Sequence, residues 1–179
     1  AKFIQSANNS SQFVADIGAE VCFVGRSNSG KSSAINLIVN RRQFAKTSKT
    51  PGRTQLINFF MLEEKKRLVD LPGYGFALVS RSKKNHWKEI ISKYFEERKT
   101  IMGIFLIMDI RRGITDYDLD MLFLAKLHSI SVHILLTKAD KLKRAPAMKK
   151  LSEIKSSVDK SISTQLFSSQ NRLGADEAR

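Results

Sequence analysis

Continuous apolar stretches alternate along the chain with stretches whose apolar residues fall on one side of a helix. Residues 21–24 and 101–108 are continuous apolar runs and residues 132–136 are apolar apart from His133, as expected for strands that are covered on both faces of a sheet. Apolar residues between positions 87 and 95 recur at intervals of three and four, which predicts one buried face of a helix. Strands that alternate with helices indicate an α/β fold with a mostly parallel sheet.

A pair of strands, a capped helix and a last strand extend the predicted fold. Residues 56–62 and 67–71 resemble two strands, and the short polar link between them favours an antiparallel hairpin, since a parallel crossover needs about a dozen residues or more. Thr115 followed by Asp118 resembles a capping box that opens a helix, and a short strand follows at 165–167. We therefore expect a mostly parallel six-stranded sheet with one antiparallel edge hairpin and helices on both faces. The apolar positions expected along the capped helix are Leu119, Leu122, Phe123 and Leu127.

Two segments stand outside this alternation. Residues 1–18 are polar with scattered apolar positions, so we expect an N-terminal arm that lies against a main domain of residues 19–179. Residues 40–55 are basic, rich in Ser and Thr and interrupted by Pro51-Gly52, which is typical of a loop.

A phosphate-loop motif follows the first apolar run. The sequence fits G-x-x-x-x-G-K-[ST] at every fixed position, and a helical pattern follows at 31–39. Glycines allow consecutive backbone N–H groups to point at one anion, while Lys31 can reach the β- and γ-phosphates and the Ser32 hydroxyl can bind Mg²⁺. The alternative is an ordinary Gly/Ser turn, but the fixed Lys and Ser positions favour a nucleoside triphosphate site. The residues of this loop are Gly25, Arg26, Ser27, Asn28, Ser29, Gly30, Lys31 and Ser32.

A second motif, Asp70-Leu71-Pro72-Gly73, lies at the end of a predicted strand. Open α/β sheets bind their ligands beside the carboxyl ends of the strands. There the Asp70 carboxylate can hold Mg²⁺ through water, and the Gly73 N–H can contact a γ-phosphate. Because Asp-x-x-Gly also occurs in ordinary turns, this interpretation depends on the strand end and on the distance of about forty residues from the phosphate loop.

A third motif, Thr137-Lys138-Ala139-Asp140, ends another predicted strand. Asp140 could accept hydrogen bonds from N1–H and the N2 amino group of guanine, donors that adenine lacks, so this carboxylate would reject ATP. The aliphatic part of Lys138 could lie along the base. A weaker signal, which could supply a backbone N–H to guanine O6, is the triplet Phe167-Ser168-Ser169.

The chain carries a large excess of positive charge. Lys and Arg number 31 against 17 Asp and Glu, a net charge of +14, which favours a polyanionic partner such as nucleic acid. For each cluster taken alone, a solvated surface is the ordinary interpretation, and charge does not distinguish RNA from DNA. The clusters comprise Arg41, Arg42, Lys46, Lys49 and Arg53; Arg81, Lys83, Lys84 and Lys88; and Lys138, Lys141, Lys143, Arg144, Lys149 and Lys150.

Several other classes of protein are disfavoured. No apolar run approaches the roughly 18 residues of a membrane span, so we expect no membrane partner. The single cysteine, Cys22, excludes an intramolecular disulfide and is interpreted as a small core residue. His128 and His133 have no Cys or carboxylate at ligand spacing, so we expect no zinc site. His86 and Trp87 could also act in catalysis or base stacking, but Trp87 falls on the apolar face of the helix, so we interpret it as a core residue and His86 as a surface residue.

The motifs in this order resemble those of translation-factor-type GTPases, and four strings narrow the resemblance to the EngB/YihA/YsxC family of bacterial GTP-binding proteins. They are GRSNSGKSS from residue 25, TSKTPGRTQ at 47–55, DLPGYG at 70–75 and TKADK at 137–141. The resemblance covers nearly the whole chain. It implies a P-loop GTPase whose G domain spans 19–179, with GTP and GDP as ligands and Mg²⁺ as cofactor.

The resemblance also implies a cellular role. Such proteins assist assembly of the large ribosomal subunit and are needed for normal cell division and septation, so the expected partner is that subunit or its rRNA. We expect a cytoplasmic monomer. The family has a longer C-terminal helix than the segment that follows Gly174 here, so we expect that helix to be truncated.

The resemblance assigns roles to further residues. Thr54 is implied as the switch residue whose hydroxyl joins Ser32 on Mg²⁺, although the sequence alone shows a loop threonine. The implied catalytic set is Lys31, Thr54, Gly73 and Asn28. The other loop residues implied in GTP binding are Gly52, Arg53, Gln55 and Leu56.

The expected rate of hydrolysis is low. Tyr74 occupies the place where many related GTPases have a water-orienting Gln. In potassium-dependent relatives, an Asn at the position of Asn28 holds K⁺ beside the phosphates, where it would stabilise negative charge. The alternative is an Asn that merely stabilises the loop turn.

Two other functions remain open at this stage. A P-loop kinase would need an arginine-rich lid and leaves Thr137 to Asp140 unexplained. A basic RNA-binding module that uses guanine nucleotide as a structural ligand, without turnover, agrees with the charge and with Tyr74. If GTP orders the basic loop at 41–53, this loop would present its cations to RNA in one nucleotide state.

Overall fold

The computed structural model describes residues 1–42, 44–45, 56–75 and 80–179. Within these ranges the chain forms seven strands and four α-helices, and their order confirms the predicted alternation. The strands are β1 (Lys2–Ala7), β2 (Ala19–Gly25), β3 (Ile57–Glu63), β4 (Lys66–Asp70), β5 (Ile101–Asp109), β6 (Val132–Thr137) and β7 (Ser163–Leu166). The helices are α1 (Lys31–Ile38), α2 (Arg81–Glu97), α3 (Asp116–Leu127) and α4 (Arg144–Ser157).

The strands form one sheet in the order β1-β3-β4-β2-β5-β6-β7. The five neighbouring strands β4, β2, β5, β6 and β7 are parallel to one another. Strand β3 is antiparallel to both of its neighbours, β4 and β1. The α/β class, the mostly parallel sheet and the β3–β4 hairpin are confirmed. The described sheet has one strand more than the six expected, because β1 of the N-terminal arm pairs with β3 at the edge.

Alternate residues of the strands face opposite sides of the sheet. Cys22 and Val24 pack with α2, α3 and α4 on one face, whereas Phe23 packs with α1 on the other. Cys22 is fully buried, as expected of a small core residue. Helices therefore cover both faces, and the carboxyl ends of the five parallel strands lie at one edge of the sheet.

The apolar residues of α3 do not all face the core. The capping box between Thr115 and Asp118 is present, but Leu119, Phe123 and Leu127 are 49%, 69% and 66% exposed. The side of the helix that faces the core instead carries Asp118, Met121 and Ala125. Asp118 accepts a hydrogen bond from the buried Tyr74 hydroxyl, and this polar contact helps to fix the side that α3 turns inward.

The amino edge of the parallel strands holds a buried ionic network. Glu20 is fully buried, and its Oε1 accepts from Arg67 Nε at 2.7 Å. Its Oε2 accepts from Tyr94 at 2.8 Å and from Arg98 Nε at 2.9 Å. Arg98 also donates to the carbonyl of Val14 at 2.6 Å, so the network ties the arm to the sheet. Among the helices in the described ranges, none is long and apolar enough to cross a membrane.

Candidate nucleotide-binding site

The phosphate-loop motif joins β2 to α1 at the carboxyl edge of the sheet. Gly30, just before α1, has a φ of 95°, which lies in the left-handed region that favours glycine. At Gly25, a Cβ would lie 2.5 Å from the carbonyl oxygen of Ile107 on β5. The backbone of this tight loop, packed against β5, therefore requires both glycines of the motif.

Side chains of the third motif hold the phosphate loop in place. Lys138 Nζ donates to the carbonyl of Asn28 at 2.7 Å, and the Thr137 hydroxyl donates to the carbonyl of Ser29. Asn28 has a φ of 62°, a conformation that Asn tolerates better than most residues. The structure thus brings the first and third motifs together.

Lys31 and Asp70 form an ion pair across the site. Lys31 begins α1 and Asp70 ends β4, and their side chains are only 12% and 7% exposed. The ammonium and the carboxylate therefore neutralise each other where little water reaches them. A triphosphate with its cation could replace this pair, because it offers anionic oxygens to Lys31 and positive charge to Asp70. The half-buried Ser32 follows Lys31 in the first turn of α1.

Gly73 lies directly beside the phosphate loop. The N–H of Ser27 donates to the carbonyl of Tyr74 at 2.8 Å, and the N–H of Tyr74 donates to the carbonyl of Gly25 at 3.3 Å. A Cβ on Gly73 would lie 3.4 Å from that same Gly25 oxygen. The second motif is therefore in backbone contact with the first.

The side chain of Tyr74 is directed to α3. It is 2% exposed, and its hydroxyl donates to Asp118. Burial, and then the neighbouring carboxylate, raise the pKa of Tyr74 far above its usual value. The indole N–H of Trp87 donates to the carbonyl of Pro72 at 2.9 Å, so α2 also supports this segment. Because the hydroxyl of Tyr74 is engaged with Asp118, it is not placed to orient a water at the phosphate loop.

A pocket of about 290 Å³ opens at the ends of β6 and β7; we call it the Asp140 pocket. Asp140 Oδ1 accepts from Ser168 Oγ at 2.6 Å, and Oδ2 lies 3.2 Å from Lys141 Nζ. The hydrogen bond from Ser168, with help from Lys141, lowers the pKa of Asp140. The carboxylate is therefore ionised at neutral pH and acts purely as an acceptor. Residues that line the pocket include Gly30, Ser33, Thr137, Lys138, Asp140 and Ser169.

A residue outside the three motifs positions Lys138. Asp109 is the last residue of β5, and its Oδ2 lies 3.0 Å from Lys138 Nζ and 2.7 Å from Arg111 Nη2. Although burial alone would raise it, hydrogen bonds from Arg111 and Lys138 hold the pKa of Asp109 well below its usual range. Arg111 also lines the Asp140 pocket. Neither residue belongs to a motif with fixed spacing; the signal for Asp109 in the sequence is a carboxylate at the end of a parallel strand.

The other residues predicted to bind the nucleotide differ in their burial and in their hydrogen bonds. Ser168 contributes its side chain, which the sequence analysis did not foresee, and its N–H donates to the carbonyl of Leu173 at 3.0 Å. Phe167 is fully buried in the core, as are Leu71 and, nearly so, Ala139. The structure leaves Arg26 and Leu56 half-buried and Pro72 buried. Predicted residues that lie outside the described ranges are Gly52, Arg53, Thr54 and Gln55.

Sequence comparisons identify close relatives. A family model described as "50S ribosome-binding GTPase" matches residues 20–138. The probable GTP-binding protein EngB of Coxiella burnetii (strain CbuG_Q212) is 46% identical over 182 residues, which cover 100% of this chain and 89% of the relative. The protein of the same description from Acinetobacter baumannii (strain ATCC 17978) is 51% identical over 168 residues, covering 92% of this chain and 80% of the relative.

Solved structures agree with the fold. A crystal structure of a probable GTP-binding protein engB aligns with a TM-score of 0.69 at 23% identity, over 89% of this chain and 94% of that chain. Era in complex with MgGDPNP and nucleotides of 16S ribosomal RNA aligns with a TM-score of 0.67 at 19% identity, over 91% of this chain and 55% of that chain. By the sequence matches together with the P-loop GTPase fold, the chain belongs to the EngB family of GTP-binding GTPases.

Proposed function

We propose that this chain hydrolyses GTP slowly with Mg²⁺ and acts in the cytoplasm as a nucleotide-dependent switch in assembly of the large ribosomal subunit. The observation that carries the proposal is the position of Asp140. Its carboxylate is fixed by Ser168 in a pocket beside the phosphate loop, and Lys138 connects the pocket to that loop. One nucleotide can therefore place its base at Asp140 and its phosphates at Lys31.

Asp140 supports recognition of guanine rather than adenine. An ionised carboxylate accepts hydrogen bonds and donates none. Guanine offers N1–H and its N2 amino group to such an acceptor, whereas adenine presents the lone pair of N1. Sites that require a polar group of the ligand discriminate by factors on the order of 10⁴, so ATP is expected to bind far more weakly than GTP.

The donor set beside the phosphate loop fits magnesium. Hydroxyl and carboxylate oxygens are the ligands that Mg²⁺ prefers, and it usually takes few from the protein beside phosphates and waters. Ser32 would bind the ion directly, Asp70 through water, and Thr54 through its hydroxyl by family resemblance. When bound, the ion supplies positive charge to the β- and γ-phosphate oxygens. Lys31 would hold the same phosphates, and Gly73 would lie next to the γ-phosphate.

The proposal of slow hydrolysis is supported by Tyr74, whose hydroxyl donates a hydrogen bond to Asp118. We further propose that Asn28 holds K⁺ beside the phosphates. The alternative, a purely structural role, is supported by the left-handed backbone of Asn28 and by the bond of its carbonyl to Lys138. Turnover measured in K⁺ and in Na⁺, for the wild type and for Asn28→Ala, decides between them. Equal rates in the two salts would contradict the potassium site.

The proposed partner is the large ribosomal subunit or its rRNA, bound by a monomer. It is supported by the matching family description and by the net charge of +14; a role in cell division and septation follows from the family resemblance. Multiple-turnover phosphate release, measured with and without large subunits, tests the switch. Absence of release under both conditions would favour the alternative, an RNA-binding module with guanine nucleotide as a structural ligand.

The sharpest test of the site is a change of base preference. GTP, GDP, ATP and xanthosine diphosphate are titrated against the wild type and Asp140→Asn. An amide at this position donates as well as accepts, so it should lose guanine nucleotides and gain xanthosine diphosphate, which carries a carbonyl in place of the N2 amino group. Equal affinity of the wild type for ATP and GTP would overturn the proposed function.

A further inference from the structure

A slot of about 160 Å³ opens between α2 and the start of α3, beside Gly73; we call it the α2–α3 slot. Its described lining shares no residue with that of the Asp140 pocket. The volume is close to that of an engineered cavity of about 150 Å³ that holds one benzene molecule in another protein. The slot therefore suits a single flat ring rather than a whole nucleotide.

Aromatic side chains form the inner part of the slot. Tyr74 lies at its base, with its ring stacked on Tyr117 at a centroid distance of 5.7 Å and edge-on to Trp87 at 5.8 Å. Trp87 and Tyr117 are half-buried, so part of each ring stays accessible. Aromatic rings of this kind are platforms on which nucleobases stack.

Positive charge lies along the α2 side of the slot. No acidic residue is found among its described lining residues, and its cations all belong to the first turns of α2. The first turn of that helix also lacks acidic residues, so the positive end of its dipole adds to the same field. Such a field attracts phosphate groups. The cations that line the slot are Arg81, Lys83, Lys84 and Lys88.

We propose that the α2–α3 slot takes one unstacked base of single-stranded RNA, while flanking phosphates contact the cations of α2. The inference rests on the proposed function, because it names the RNA element that the switch would hold. Bases of a duplex are already stacked and paired, so single strands should bind more tightly. The indole of Trp87 donates a hydrogen bond to the carbonyl of Pro72, and Tyr74 follows Gly73 directly. A base in the slot would therefore lie against the segment 72–74, which would border the γ-phosphate.

The experiment uses the intrinsic fluorescence of the protein. The chain contains one tryptophan, so emission from Trp87 reports on the slot directly. With the full chain saturated with GDP, a 12-nucleotide oligouridylate is the probe, and its duplex with oligoadenylate is the comparison. We expect saturable quenching of Trp87 by the single strand and little quenching by the duplex at the same concentration.

Two variants test the two parts of the slot. Tyr117→Leu keeps an apolar wall but removes the π face, and should weaken single-strand binding roughly tenfold, as expected for one lost stacking contact. Lys84→Ala with Lys88→Ala should weaken binding and reduce the slope of log K against log salt by about 1.4. The matched control is Lys149→Ala with Lys155→Ala on α4, which removes the same charge and should leave Trp87 quenching intact. All variants are first shown to bind GDP as the wild type does.

Several results would overturn the proposal. These are RNA binding without a change in Trp87 emission, equal losses in the two double-lysine variants, or equal quenching by a poly-glutamate peptide, which would indicate an acidic protein partner instead. The proposed function is tested separately, because guanine preference and subunit-dependent turnover can persist when the slot fails. Conversely, if the wild type showed no guanine preference, quenching of its Trp87 by the single strand would still support the slot.

Discussion

The two edges of the parallel sheet contain the same chemical groups and differ in how open they are. At the carboxyl edge, Lys31 pairs with Asp70 and Lys138 pairs with Asp109, and the two lysine side chains are 12% and 31% exposed. At the amino edge, the side chains of Glu20, Arg98 and Arg67 are 0%, 3% and 10% exposed. Lys138 makes the carboxyl edge the more open of the two, whereas the amino edge is nearly closed.

The ion pairs at the two edges of the sheet have different roles because they differ in exposure. Around Glu20, two arginines and a tyrosine satisfy both carboxylate oxygens, so the network stabilises one arrangement of arm and sheet. At the carboxyl edge, an incoming phosphate can compete with Asp70 for the Lys31 ammonium, because the phosphate is also an anion and the ammonium is partly accessible. The buried network around Glu20 therefore contributes to stability, whereas Lys31 can exchange its partner Asp70 for a phosphate.

The largest effect is expected at the closed edge. Glu20→Gln leaves two guanidinium groups buried without a carboxylate, which should lower the free energy of unfolding by about 3–5 kcal/mol. Urea denaturation measures the change. If the variant does not fold, Tyr94→Phe removes one hydrogen bond of the same network, and a loss of about 1 kcal/mol is expected.

An exposed ion pair provides the control for this prediction. Glu63 and Lys66 pair at 2.9 Å, with side chains that are 70% and 66% exposed. Glu63→Gln removes the same charge as Glu20→Gln, yet its effect should stay below about 1 kcal/mol. Comparable losses from the two substitutions would contradict the contrast between a closed network and solvated charges.

The next largest effect is expected at the open edge, on ligand binding. Asp109→Asn removes the anion that holds Lys138 over the phosphate loop, so GDP affinity should fall about tenfold, or ~1.4 kcal/mol. Isothermal titration calorimetry measures the affinity. Arg111→Gln leaves the contact of Asp109 with Lys138 in place and should change affinity less. If Arg111→Gln caused the larger loss, Arg111 would act on the nucleotide itself.

Much of the fold could be predicted because buried strands are continuous apolar runs. Two features could not. β1 has one neighbouring strand and four exposed residues, so its pairing comes from backbone bonds that leave no burial pattern in the sequence. The inward side of α3 is set partly by Asp118, whose partner Tyr74 is 44 residues away. No local periodicity reveals a contact at that separation.

The candidate site likewise contains some residues that could be predicted from the sequence and others that could not. Lys31, Asp70 and Asp140 could be located because each belongs to a motif with fixed spacing, and the structure places all three at the carboxyl edge. Asp109 and the side chain of Ser168 act by orienting motif residues, and such supporting contacts depend on tertiary geometry rather than on spacing. The roles of the motif residues toward a nucleotide remain predictions.

Alkaline pH should have a smaller effect on stability through Cys22, whose thiol lies 3.2 Å from the Tyr94 hydroxyl of the closed edge. Burial raises the pKa of the Cys22 thiol to about 12, whereas an unfolded thiol ionises near pH 8.5–9. Because the folded state keeps the proton, its stability is full below that range and declines as pH rises toward 12. Between pH 8 and pH 9.5 the thiol should account for a loss of about 1 kcal/mol. Urea denaturation at each pH measures it, and Cys22→Ala should remove this part of the slope.

The smallest effect is expected at Phe123 on α3. The side chain is 69% exposed, and Phe and Ser have similar helix propensities, so Phe123→Ser should change the free energy of unfolding by less than about 0.5 kcal/mol. Met121, two positions earlier, is 2% exposed, and Met121→Ala should cost about 2–5 kcal/mol because it leaves a cavity. Urea denaturation of both variants compares the two sides of one helix. A larger loss from Phe123→Ser than from Met121→Ala would contradict the observed orientation of α3, in which Asp118, Met121 and Ala125 face the core.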